Sequence, residues 1–171
     1  MLYIAHRGNT NGRKPERENT LSYINEAMAD GFHVEVDVWV DADGGILLGH
    51  DGPHETVELE YLKNDMLWCH AKNIYALETL IHENRVRCFW HDRDEHTLTS
   101  KGDVWSFPGV KMLPSSVYVM PETTISDFSK LPSGTKGHAL AMIVSGCRGA
   151  CSDHVRKIRE FDNSDWRGDH P

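Results

Sequence analysis

FHVEVDVWV, residues 32–40, alternates strictly, with Val34, Val36, Val38 and Val40 on one side and Glu35, Asp37 and Trp39 on the other. A strand of that period has an apolar face to bury, and its opposite face carries two carboxylates two residues apart. Asp43-Gly44-Gly45 signals a turn and Ile46-Leu47-Leu48 a short returning strand. Such a hairpin brings Gly49-His50-Asp51-Gly52 back toward Glu35 and Asp37.

Upstream, Leu2-Tyr3-Ile4-Ala5 is a short apolar run ending at His6-Arg7-Gly8, where a strand stops and a loop begins. After a polar loop, Asn19-Thr20 caps a helix whose apolar face is Leu21, Ile24, Ala27 and Met28, and Asp30-Gly31 ends it. Downstream, residues 66–69, 86–90, 104–107 and 117–120 read as strands and 74–83 as a helix. Residues 125–131 read as a short helix, 139–144 fit either state, and 154–161 form a charged terminal helix. No internal repeat or linker interrupts the chain.

Strands alternating with helices imply a parallel sheet covered on both faces, open or closed, with its chemistry on loops at the strand C-terminal ends. A (β/α)8 barrel takes about 250 residues. A 171-residue chain therefore fits a compact, degenerate TIM-type barrel with reduced helices, and the short connections of the second half are where the losses fall. The length suits one core, so residues 1–171 are read as a single domain.

A net charge of -8 argues against general affinity for nucleic acid, which needs clustered Lys and Arg. No run approaches the roughly 20 apolar residues of a membrane span, and no basic leader precedes an apolar stretch; the expectation is a cytoplasmic protein. Cys69, Cys88, Cys147 and Cys151 are expected to be free thiols, because Cys147-x-x-x-Cys151 has no paired partner to complete a zinc site. A shortened barrel can expose apolar surface for a second copy of the chain to cover.

His6-Arg7-Gly8, Arg17-Glu18-Asn19-Thr20, Glu35-Val36-Asp37-Val38 and His50-Asp51, in this order, resemble the motifs of the glycerophosphodiester phosphodiesterase family, a branch of the phosphatidylinositol-phospholipase-C-like barrels. The likeness covers residues 3–75 well and the rest poorly. It implies a TIM-type barrel that binds a divalent metal and cleaves phosphodiesters, with His6 and His50 as the acid/base pair and Glu35 and Asp37 as metal ligands. Where that family carries Glu-x-Lys on a following strand, this chain has His70-Ala71-Lys72. The lysine is kept and the third carboxylate has become His70. The expected ion is Mg2+ or Ca2+ first, hard cations that favour oxygen, with Mn2+ or Zn2+ as the alternatives that an imidazole ligand suits. Cys151-Ser152-Asp153 echoes a Thr-Asp near the family's C-terminus.

Phosphodiester hydrolysis needs charge on the non-bridging oxygens, a proton acceptor for the nucleophile and a donor for the leaving group. His6 and His50 can share the two proton roles in either order. Arg7 offers a planar fork and Lys72 a point charge for the phosphate of a small-molecule phosphodiester. His91-Asp92-Arg93-Asp94 follows a strand and could add a contact at the same rim, while Trp68 and Trp105 read as core and Glu122 as rim or cap. Taken alone, Glu35 and Asp37 fit a solvated sheet face equally well. Two other functions share these residues: a phosphate-binding module without turnover, and a lyase whose end product is a cyclic phosphate.

Overall fold

The computed structural model describes residues 1–163. Its elements in chain order are β1 (Leu2–His6), α1 (Leu21–Ala29), β2 (His33–Val40), β3 (Ile46–Leu48), β4 (Glu55–Thr56), α2 (Leu59–Leu62), β5 (Leu67–Ala71), α3 (Ile74–Ile81) and β6 (Cys88–Phe89). They continue with β7 (His96–Leu98), β8 (Val104–Ser106), β9 (Ser116–Val119), α4 (Ser133–Ile143), β10 (Gly149–Ser152) and α5 (Val155–Asn163).

The fold is mixed α/β. Strands β6-β5-β2-β1-β10-β9-β8 run parallel in that order, and β3 and β7 pair antiparallel at β2 and β8. The sheet curls until its ends meet: the Phe89 and Trp105 rings, from β6 and β8, have centroids 4.5 Å apart. The Ser100 amide donates to the Cys88 carbonyl at 2.8 Å and the Cys88 amide to Ser100 Oγ at 3.0 Å. Among the described residues β6 pairs as a strand only with β5, so the barrel is incomplete.

Two layers of side chains fill the curl. Ile4, Trp68, Phe89, Trp105, Val117 and Cys151, from β1, β5, β6, β8, β9 and β10, form a buried cluster inside it. Two residues further along, on the same face of each strand, stand His6, His70, His91, Phe107, Val119 and Asp153. Outside the curl, α1 and α3 cover the sheet around Val34, Val36 and Val38. The helices α4 and α5 pack with Tyr118 and Ala150.

No helix lies between β6 and β9, the part of the chain where short connections were expected. Residues 125–131 are not an α-helix: they hold one 3-10 turn, Phe128–Lys130, preceded by the left-handed Asp127, which breaks helical continuity, and a second 3-10 turn, Pro121–Thr124, lies just upstream behind the left-handed Met120. Residues 139–144 fall largely within α4, and the 86–90 strand shortens to β6. Strand β10 was not foreseen, although it lies at the centre of the sheet. Its Gly-Ala-Cys-Ser sequence has no β-branched or aromatic residue, and a Cβ on Gly149 would stand 2.8 Å from Leu2 Cβ. Close approach to β1 therefore demands glycine there.

The four cysteines are free thiols. Among the described residues no helix is long and apolar enough to cross a membrane.

Candidate functional site

The parallel register sets the site residues side by side. His6 on β1 is level with Glu35 on β2, and Asp37 is level with His70 on β5. The β2–β3 hairpin returns the chain, and the Gly49 amide closes it by donating to the Asp37 carbonyl at 3.1 Å. A Cβ on Gly49 would lie 2.1 Å from the Gly52 carbonyl oxygen, so only glycine makes the corner that presents His50.

His6, Arg7, Glu35, His50, His70 and Lys72 line one cavity of about 530 Å3 at the C-terminal ends of the parallel strands. Asp37, the remaining expected site residue, lies beneath them in direct contact. Its face of β2 is not a solvated one: Glu35 is 3% exposed and Asp37 0%.

Asp37 is the hub. Its Oδ2 accepts from Asn19 Nδ2 at 3.0 Å and His50 Nδ1 at 3.1 Å and lies 3.0 Å from Arg7 Nε. Its Oδ1 meets His70 Nδ1 at 3.1 Å and Lys72 Nζ at 3.4 Å. Burial opposes its ionisation, yet the hydrogen bond from His50 and the Arg7 charge hold its pKa well below the usual carboxylate range. Glu35 is the opposite case, pushed up first by burial and then by the neighbouring Asp37 charge. Its carboxylate receives only the Arg7 amide, at 3.3 Å, among the described residues.

The two acid/base candidates are held alike. His6 Nδ1 lies 2.8 Å from Asp153 Oδ1, and a carboxylate can only accept, so Nδ1 carries the proton and Nε2 the lone pair of the neutral ring. Burial works against charge on His6, but the Asp153 hydrogen bond and the Glu35 charge outweigh it and raise its pKa. His50 likewise gives Nδ1–H to Asp37, leaving Nε2 to accept from Arg7 Nη2 at 3.1 Å.

Arg7 is less free than a phosphate fork should be. Its Nη1 donates to Glu18 at 3.1 Å, its Nη2 to His50, and its Nε faces Asp37. It organises the cluster as much as it offers charge to the cavity.

Glu35, Asp37 and His70 each offer an atom within 4.8 Å of the others, and they form the one such His/Cys/Asp/Glu group among the described residues. Cys147 and Cys151 gather no third ligand. Two observations favour a cation there. Glu35 is a buried carboxylate short of donors. His70 Nε2 lies 3.0 Å from the His91 carbonyl oxygen, which can only accept, so the neutral ring turns its Nδ1 lone pair on Asp37 Oδ1 at 3.1 Å and Glu35 Oε1 at 3.8 Å. Lone pairs facing lone pairs need a proton or a cation between them. Adjacent ligands on bonds of about 2.1 Å stand roughly 3 Å apart, which fits these spacings.

Several contributors were missed or only glimpsed in the sequence. Asn9 Nδ2 donates to Glu18 and Asp153, both at 2.9 Å. Glu122 accepts from the Asp153 amide at 2.9 Å and Ser152 Oγ at 2.8 Å, fixing the residue that orients His6. Of the Asn19-Thr20 pair expected to cap α1, Thr20 does so, while Asn19 exchanges two hydrogen bonds with Asp37. Only the Arg-Glu-Asn-Thr and Cys-Ser-Asp echoes pointed to them. No protein-family model matches the chain, and no curated protein matches it.

Proposed function

We propose that the chain is a metal-dependent phosphodiesterase of the glycerophosphodiester phosphodiesterase type, built on a shortened TIM-type barrel and acting on a small phosphodiester. The observation that carries this reading is the paired arrangement of His6 and His50, each with Nδ1–H on a buried carboxylate and Nε2 turned toward the cavity side, that of His50 meeting Arg7, beside Glu35, Asp37 and His70. Neither a solvated sheet face nor a packed core calls for two imidazoles oriented this way.

In the proposed reaction an oxygen nucleophile, either a neighbouring hydroxyl of the substrate or water, attacks phosphorus. As the new P–O bond forms, its proton passes to His6 Nε2, and Asp153 stabilises the imidazolium. The leaving P–O bond breaks and its oxygen takes a proton from the His50 imidazolium. Where the nucleophile is a neighbouring hydroxyl, water opens the cyclic phosphate with the proton roles reversed. Lys72 and the unengaged N–H groups of Arg7 face the phosphate oxygens. Glu35, Asp37 and His70 would hold a divalent cation, which when bound would supply further positive charge to those oxygens. The imidazole ligand favours Mn2+ or Zn2+ over Mg2+ or Ca2+.

The test is release of p-nitrophenol from bis(p-nitrophenyl) phosphate, with and without Mn2+. Metal-stimulated turnover lost in both His6→Ala and His50→Ala supports the reading. Phosphate-ester binding without turnover favours a binding module.

A further inference from the structure

The cavity has two unlike walls. Opposite the imidazoles and charges stand Trp105, Phe107, Pro108, Val119 and Met120, from the ends of β8 and β9. Thr123 beside them already donates its hydroxyl to the Met120 carbonyl at 2.8 Å, and the polar His91 and Asp92 line the cavity next to this wall, not within it. A hydroxyl-rich alcohol pressed against this wall would lose water partners and gain none, whereas an apolar one gains from burial.

The wall is also held in place. Phe107 is 46% exposed, although its amide donates to the Glu95 carbonyl at 2.9 Å and the Gly109 amide donates to the Tyr118 hydroxyl at 3.0 Å. Its ring leans on His91 at 5.5 Å, and Trp105 lies buried beside it. Met120 has a left-handed backbone, φ 47°, fixed by its amide donating to Cys151 O at 2.7 Å. Of the four non-glycine residues at positive φ among the described residues, Arg7 and Asn19 belong to the polar side of the site, Met120 belongs to this wall and Asp127 lies elsewhere. Such backbone is costly for a residue with a Cβ and collects where a ligand is clamped.

We infer that the phosphodiester taken by this site carries an apolar alcohol, alkyl or aryl, on one side of phosphorus, seated against Trp105, Phe107, Val119 and Met120. The inference rests on the phosphodiester reading of the same cavity.

The experiment uses the full chain with Mn2+ and a series of n-alkyl esters of glycerol phosphate, methyl to octyl, below their micelle concentrations. The expected result is a rise in kcat/KM of about three- to fourfold per methylene until the wall is covered. In Phe107→Ser the hexyl-to-methyl ratio falls about tenfold or more. Met120→Gly, which suits the left-handed backbone, lowers that ratio in a folded protein. Equal kcat/KM from methyl to octyl, or a gain that appears only in mixed micelles, overturns the inference. Calorimetric binding of methyl and hexyl phosphate separates the two readings. Tighter hexyl phosphate binding without turnover of any ester upholds the wall and defeats hydrolysis, and equal binding defeats the wall.

Discussion

His6 Nδ1 and Asp153 Oδ1 lie 2.8 Å apart although 147 positions separate them in the chain. The contact exists because β10 slots in parallel beside β1, placing Ser152 level with Ala5. Asp153 is itself held through its amide by Glu122 and through its carboxylate by Asn9. One imidazole thus depends on three separate stretches of sequence.

Asp153→Asn should disable His6 without removing it. An amide can turn its NH2 group toward Nδ1 and favour the tautomer that puts the proton on Nε2, so kcat should fall by about 10²- to 10⁴-fold, the usual worth of a general base. Steady-state hydrolysis of bis(p-nitrophenyl) phosphate checks this, and retention of full activity would remove Asp153 from the proposed mechanism.

Glu35→Gln should raise the thermal stability of the metal-free protein at neutral pH. The folded-state pKa of Glu35 is raised, so its contribution is fully present below its unfolded value near ~4.3 and is lost as pH rises through the folded value. At neutral pH that lost contribution is a cost that glutamine avoids. Differential scanning calorimetry in the presence of chelator should show a higher Tm for the variant.

Glu18 and Asp37 have the opposite sign. Burial opposes the charge of Glu18, but hydrogen bonds from Asn9, Arg13 and Arg7 lower its pKa, as Asp37's is lowered by its own partners. Their stabilisation is present above the unfolded values near ~4 and is lost as pH falls through the folded ones. Metal-free protein should therefore lose stability on acidification below about pH 4, and Glu18→Gln should flatten that loss in a urea titration series.

The floor of the cavity should be costly to open. Trp68 is fully buried, and its ring centroid lies 5.8 Å from that of Trp105. Trp68→Ala should cost about 3–5 kcal/mol, lowering Tm by roughly 6–20 °C for a chain of this size. A shift of only a degree or two would mean that the curl does not depend on its inner layer.

The sequence showed the first half of the molecule well because its signals are local. Alternation through Val34 to Val40 set β2, the Asp43-Gly44-Gly45 turn set the hairpin, and together they predicted the return of His50. The second half carries weaker signals. Gly149 to Ser152 pairs on both edges because its side chains are small, a property that strand propensity does not reward. Asp127 breaks the helical pattern of 125–131 by backbone conformation rather than by residue type. The engagement of Arg7 with Glu18, His50 and Asp37 depends on three chain segments meeting, which spacing along one of them cannot express.

The central claim is that His6, His50 and His70 converge on a cation held by Glu35 and Asp37. Paramagnetic broadening of imidazole NMR signals by substoichiometric Mn2+ tests it most directly, because the chain has 11 histidines and most lie elsewhere. The account predicts that the His6, His50 and His70 signals broaden first while His96 and His138 stay sharp, and that Glu35→Gln abolishes the effect. Uniform broadening across the histidines, or none at the three site imidazoles, would contradict it.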